Sequence, residues 1–138
     1  MNEARHSPEA ILDAATRITV VGLSTDPSKP SHHVPVDLRD HGWDIGGVHP
    51  TATDIVGIPV VSRLSDVRGG VGLVEVFRPS EQAEDVTRAA IEAGATGVWL
   101  QLGIVSPRAR SLAGAAGIDF VEDQCMLVVR GRAGLDHR

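Results

Sequence analysis

The sequence predicts a doubly wound α/β domain, a mainly parallel five-stranded sheet with helices on both faces. Three observations predict it. Strand-like and helix-like segments alternate about four times with short links, which favours parallel pairing through crossovers. The strand-like segments are continuous β-branched runs, as in strands covered on both faces. The chain's 138 residues suffice for one ordinary core and are too few for two.

Taken in order, Ser7-Pro8-Glu9 reads as a helix start, with Ser as N-cap, Pro in the first turn and an acid at the positive dipole end. Ile11, Ala14 and Ala15 continue it to about Thr16. Ile18–Leu23 is the central strand, followed by a polar loop, Ser24–Pro30. Ser31 is placed to cap a helix carrying Val34 and Leu38 and stopped at His41-Gly42, with Pro35 tolerated because it falls early. Trp43–Val48 is a second strand, Ile58–Val61 a short extended piece, and Ser65-Asp66 the start of a single helical turn. Val71–Phe77 is the third strand. Ser80 opens a helix with Val86, Ala89, Ala90 and Ala93 inward and Gly94 as stop. Gly97–Leu102, a helix from Ser106-Pro107 to Gly117, the strand Ile118–Val121 and a last short extended segment, Met126–Val129, complete the pattern.

Composition removes several classes of function. The formal charge of −5 argues against general nucleic-acid binding. No apolar run approaches the roughly 20 residues that span a bilayer, and no signal peptide is expected. The lone Cys125 excludes an internal disulfide framework and suits a reducing cytoplasm. There is no Cys-x-x-Cys or His-Glu-x-x-His zinc spacing, no G-x-S-x-G elbow, and no G-x-G-x-x-G or Walker loop. No catalytic residue and no metal ligand is expected.

In a doubly wound sheet, ligands sit beyond the carboxyl ends of the strands. Those ends are Gly22-Leu23-Ser24, Val48-His49-Pro50, Phe77-Arg78-Pro79 and Gln101-Leu102-Gly103. The first leads through Thr25, Ser28, Lys29 and Ser31 into a helix, supplying hydroxyls and a cation near free N–H groups, which suits a phosphate. Lys29 is the only lysine among 13 basic side chains. The same loop also reads as ordinary turn chemistry. Arg78 suits an oxyanion and Gln101 an amide, whereas Trp99 reads as core. The second strand lacks the terminal acid that holds a dinucleotide ribose, which disfavours NAD.

As a set, Val21–Ser24, Asp26–Ser31, Val48–Pro50, Val76–Pro79, Val98–Ile104 and Asp123–Met126 resemble the small CoA-binding proteins of bacteria. That family is similar to the CoA-binding domain of the succinyl-CoA synthetase α-subunit, standing alone. The likeness runs from about Ala14 to Val129, within a single domain covering 1–138 whose termini are expected to be loose. It implies a Rossmann-like fold that binds coenzyme A, free or acylated. The diphosphate would lie on Gly22, Leu23, Ser24 and Thr25 with Lys29 and Ser31 nearby, and the adenosine by Val48, His49 and Pro50. The pantetheine arm would lie by Phe77, Arg78, Leu100, Gln101 and Leu102. The chain departs from the family in having Thr51, Ala52 and Thr53 where related synthetase domains carry a lysine, and His49 and Gln124 where Asn and Arg are common. A binding protein is the preferred reading. A small thioester- or metabolite-acting enzyme using Cys125 or His49, and an NAD-type regulatory module, stand as alternatives. A protein partner or self-association stays open.

Overall fold

The computed structural model describes residues 6–138. Its helices are α1 (Pro8–Ala14), α2 (Pro30–Asp40), α3 (Ser80–Glu92), α4 (Pro107–Ala116) and α5 (Met126–Ala133). Its strands are β1 (Ile18–Val21), β2 (Ile45–Val48), β3 (Asp54–Ile55), β4 (Ile58–Val61), β5 (Leu73–Val76), β6 (Gly97–Leu100) and β7 (Asp119–Val121), and Leu64–Asp66 forms one 3-10 turn. The sheet order is β3-β4-β2-β1-β5-β6-β7, parallel throughout except for the β3–β4 hairpin. The chain thus builds outward one way from β1 and then the other way from β5, so the reversal in strand order falls between their tips.

Side-chain alternation along the buried strands creates two cores. Ile18, Val20, Leu73 and Trp99 face Leu12 of α1, Leu38 of α2 and Met126 and Val129 of α5. Val21, Val74, Val76, Val98 and Leu100 face Ala83 and Ala90 of α3 and Ala109 of α4. Small alanines let α3 and α4 lie close to the sheet. The helix caps follow the sequence where a Ser precedes a Pro: Ser7 Oγ accepts from Ala10 N–H and Ser106 Oγ from Ala109 N–H, both at 3.1 Å. At α2 and α3 the boundary lies earlier, with Lys29 and Pro79 as N-caps, and Ser80 Oγ accepts instead from Val105 N–H.

Two expectations are corrected. The sheet has seven strands, not five: Ile58–Val61 pairs parallel with β2, and β3 is a two-residue edge folded back on it through Val56 and Gly57, both at positive φ. Met126–Val129 is the start of a helix, because burying Met126 and Val129 one turn apart while Val128 stays 60% exposed requires helical spacing. Gly134 ends this helix in the left-handed conformation. The carboxyl terminus is docked: His137 N–H donates to His41 O at 2.8 Å, and its ring stacks on Trp43 with centroids 3.9 Å apart. The expectation that the amino terminus is loose falls on residues 1–5, outside the described residues.

Candidate functional site

The tips of β1, β2, β5 and β6 are knitted together. Gly22 N–H donates to Val48 O, Phe77 N–H to Val21 O and Gln101 N–H to Val76 O. Gly22 has φ +96°, and a Cβ there would lie 3.1 Å from Phe77 O. The glycine therefore both turns the chain out of β1 and lets it pass close over β5. Gly47, a poor strand former, sits in β2 for a related reason: a Cβ there would lie 2.5 Å from Leu23 Cδ2. Leu23 occupies that space and anchors the loop from below.

The loop between β1 and α2 is fixed by its own polar groups. Ser24 N–H donates to Ser31 O at 3.1 Å, and the buried His32 Nδ1–H donates to Ser24 O at 2.7 Å. Asp26 N–H donates to Ser24 Oγ, while the Asp26 carboxylate accepts from both the hydroxyl and the N–H of Ser28. Those two bonds, hydroxyl first, with Lys29 and His32 nearby, hold the Asp26 carboxyl below its usual range. Ser28 is thereby committed within the loop, leaving Thr25 and Lys29 exposed. At the β2 tip His49 shapes a turn: Nδ1 accepts from Thr51 N–H and Ala52 N–H, so the ring proton sits on Nε2.

Six of the residues expected in a site, Lys29, Ser31, Phe77, Arg78, Gln101 and Leu102, line one cavity of about 690 Å³. It lies where the first turns of α2 and α5 approach the tips of β5 and β6. Its lining changes from basic and hydroxyl groups on the α2 side to apolar ones, Leu102, Ile104, Leu127 and Val128, beyond the β6 tip. Gln101 is only 5% exposed, and its Oε1 accepts from Met126 N–H at 3.2 Å, tying β6 to α5. Trp99 is fully buried as core, and its Nε1–H donates to Gln124 O at 2.8 Å. Asp123, at φ +58°, accepts from Gly103 N–H.

The other expected residues lie elsewhere. Gly22, Ser24 and Thr25 are on the adjoining β1 tip and His49 and Pro50 on the β2 tip, outside this lining. Leu23 is buried in the first core, so only its backbone is available to a ligand. Leu100 is not brought to the cavity: successive side chains on β6 alternate, and with Gln101 facing the cavity Leu100 is fully buried in the second core. Val48 lines a second cavity of about 700 Å³ on the α3 side, with Val21, Leu64 and Val86 and with Arg63, Asp85 and Glu92. The sequence reading missed His32, the buried histidine that holds Ser24 O. It also missed Ile104, in the loop after β6, and Leu127 and Val128, whose position depends on α5 being a helix. Among the described residues, no group of three or more His, Cys, Asp or Glu is placed to hold a metal. Among the same residues, no helix is long and apolar enough to cross a membrane.

The model of a family described as a CoA binding domain matches residues 16–131. The chain belongs to this family. It is 35% identical over 127 residues to the uncharacterized protein YneT of Bacillus subtilis, covering 92% of this chain and 94% of that one. A Thermus thermophilus protein of solved structure is 32% identical with a TM-score of 0.85, covering 92% of this chain and 98% of that one. The fold also recurs in a dinucleotide-forming acetyl-coenzyme A synthetase of Ca. Korarchaeum cryptofilum, at 22% identity and a TM-score of 0.71. There the match covers 85% of this chain and 27% of the larger one.

Proposed function

We propose that this member of the CoA-binding-domain family is a Rossmann-like binding protein for coenzyme A, free or acylated, without a complete catalytic centre of its own. The observation that carries the reading is the polarity of the 690 Å³ cavity, basic on the α2 side and apolar beyond β6, in a chain whose family is described by that ligand. The diphosphate lies against the β1 loop, Gly22 to Thr25, with Lys29 and Ser31. The nucleoside lies by Val48, His49 and Pro50, and the pantetheine arm runs past Phe77 and Arg78 to Gln101 and Leu102. An NAD-type reading is less well supported. β2 is followed by His49-Pro50, and the next carboxylate, Asp54, is engaged by Gly57 N–H in the hairpin. The lone cysteine fits work in a reducing compartment such as the cytoplasm.

Calorimetric titration with CoA, acetyl-CoA, NAD and ATP tests this. Binding of CoA or acetyl-CoA in preference to NAD is expected. Silence toward both CoA forms at millimolar concentration, with a response to NAD, overturns it. Lys29 supplies a charge that only a phosphorylated ligand can use. Lys29→Ala is therefore expected to weaken CoA by about 1–2 kcal/mol, the scale of a charge-assisted hydrogen bond, and to leave pantetheine unaffected. Equal losses for the two ligands would mean that Lys29 supports the loop.

A further inference from the structure

The two most exposed large hydrophobic side chains among the described residues, Leu102 at 66% and Val128 at 60%, both line the 690 Å³ cavity. Scattered singly, such side chains are ordinary on a protein surface. Gathered on the wall of one cavity, they mark a place that something apolar covers. Ile104 and Leu127, both half-buried, extend the same stretch of lining. The start of α5 is apolar on more than its core face: Met126 and Val129 are buried in the first core, while Leu127 and Val128 line the cavity, where a surface helix ordinarily carries polar groups. The loop after β6 spends its backbone groups on its own neighbours. Ile104 N–H donates to Gln101 O at 3.0 Å, Ile104 O accepts from Asp123 N–H at 3.2 Å, and Gly103 N–H donates to the Asp123 carboxylate at 2.8 Å. What this wall offers a ligand is hydrocarbon. The charged side chains of the lining, Lys29 and Arg78, come from the start of α2 and the tip of β5 instead.

We infer that the cavity takes CoA in its acylated form, with an uncharged hydrocarbon chain laid on Leu102, Ile104, Leu127 and Val128. The inference rests on the proposed CoA reading and narrows its ligand class. In that reading the pantetheine arm reaches Gln101 and Leu102, so a group bonded to its terminal sulfur continues past Leu102 onto the other three side chains. A free thiol stops short of them and leaves Val128 in water. A thioester-linked chain covers them, and each methylene is expected to tighten binding about fourfold where fully covered and about twofold where half covered. The same chemistry rejects a charged chain end. A carboxylate set among these four side chains gives up water and meets no cation there. The ligand class is therefore a monocarboxylic acyl-CoA and not a dicarboxylic one.

Calorimetric titration of the full chain with CoA, butyryl-CoA, hexanoyl-CoA and succinyl-CoA tests this. Affinity is expected to rise from CoA through butyryl-CoA to hexanoyl-CoA, the last binding about tenfold or more tighter than CoA. Succinyl-CoA has the carbon count of butyryl-CoA and is expected to bind about tenfold more weakly than it does. Val128→Ser changes a side chain that stands outside both cores, and it is expected to reduce the ratio of hexanoyl-CoA to CoA affinity about threefold. If CoA binds and hexanoyl-CoA binds no tighter, or if succinyl-CoA binds as well as butyryl-CoA, the acyl preference is wrong and the CoA reading stands. A ratio unchanged by Val128→Ser places the chain elsewhere and likewise overturns the assignment. If neither CoA nor any acyl-CoA binds, both readings fall.

Discussion

Glu75→Gln is expected to stabilise the folded chain at neutral pH and to remove most of the pH dependence of its stability on the alkaline side of the carboxylate range. Glu75 lies mid-strand in β5, in register with Val20 of β1 and Trp99 of β6. It is fully buried, and neither carboxyl oxygen has a hydrogen-bond partner among the described residues. Burial pushes its pKa up to about 8, from an ordinary value of 4.5. Between these two values the folded chain holds a proton that the unfolded chain has released. Its stability is therefore greatest below the lower value and is lost as pH rises toward the upper one, at a limiting rate of about 1.4 kcal/mol per pH unit. At pH 7 the cost is on the order of 3 kcal/mol. A glutamine side chain has nearly the same shape and remains neutral, leaving an unpaired amide in place of an unpaired acid. Urea denaturation at about pH 5 and about pH 8 should show parent and variant close together at the first and well separated at the second. A variant that is less stable than the parent at about pH 8 would mean that the carboxylate is ionised and satisfied where it lies.

The strands were legible because burial on both faces demands apolar, β-branched runs, and Ile18–Val21 and Leu73–Val76 meet that demand with Glu75 as the exception. Ser7 and Ser106 announced their helices because a side-chain cap is a local interaction between residues three apart. Met126-Leu127-Val128-Val129 misled for the opposite reason. As a short apolar run it suits a strand equally well, and tertiary contact decides between the two. Met126 and Val129 pack into the first core, and Arg132 pairs with Glu9 of α1 at 2.7 Å. Two-residue β3 has no periodicity to detect. The candidate site divides along the same line. Lys29, Phe77, Arg78 and Gln101 were accessible to sequence reasoning because strand tips in a parallel sheet converge. The wall formed by Leu127 and Val128 depends on the one element whose type the local sequence left undecided. The adjacent His32 and His33 differ only in the face of α2 they occupy: His32 turns inward and holds Ser24, while His33 is exposed and lines the cavity.

Gly72→Ala is expected to cost about 3 kcal/mol or more, well beyond the conformational strain of a left-handed alanine. Gly72 has φ +66°, and a Cβ there would lie 2.3 Å from Arg17 O and 2.9 Å from Arg17 C. That same carbonyl accepts from Leu73 N–H at 3.0 Å, and Gly72 O accepts from Thr96 N–H at 2.9 Å, so the position starts the pairing of β5 with both of its neighbours. Backbone has no rotamer through which to yield. The added methyl must instead push β1 and β5 apart at their beginnings. Gly94 supplies the control, with φ +82° and nothing within 4 Å of its Cβ position. Gly94→Ala should cost only about 1 kcal/mol, the left-handed strain less what is gained by stiffening the unfolded chain. Equal losses in urea denaturation would show that the two strands separate freely. A larger loss at Gly72 bears on the site as well, because the register set there between Ile18 and Leu73 is the one that brings Gly22 onto Phe77 four residues later. The surviving folded fraction of Gly72→Ala should then also bind CoA more weakly, whereas Gly94→Ala, on the far end of α3, should bind as the parent does.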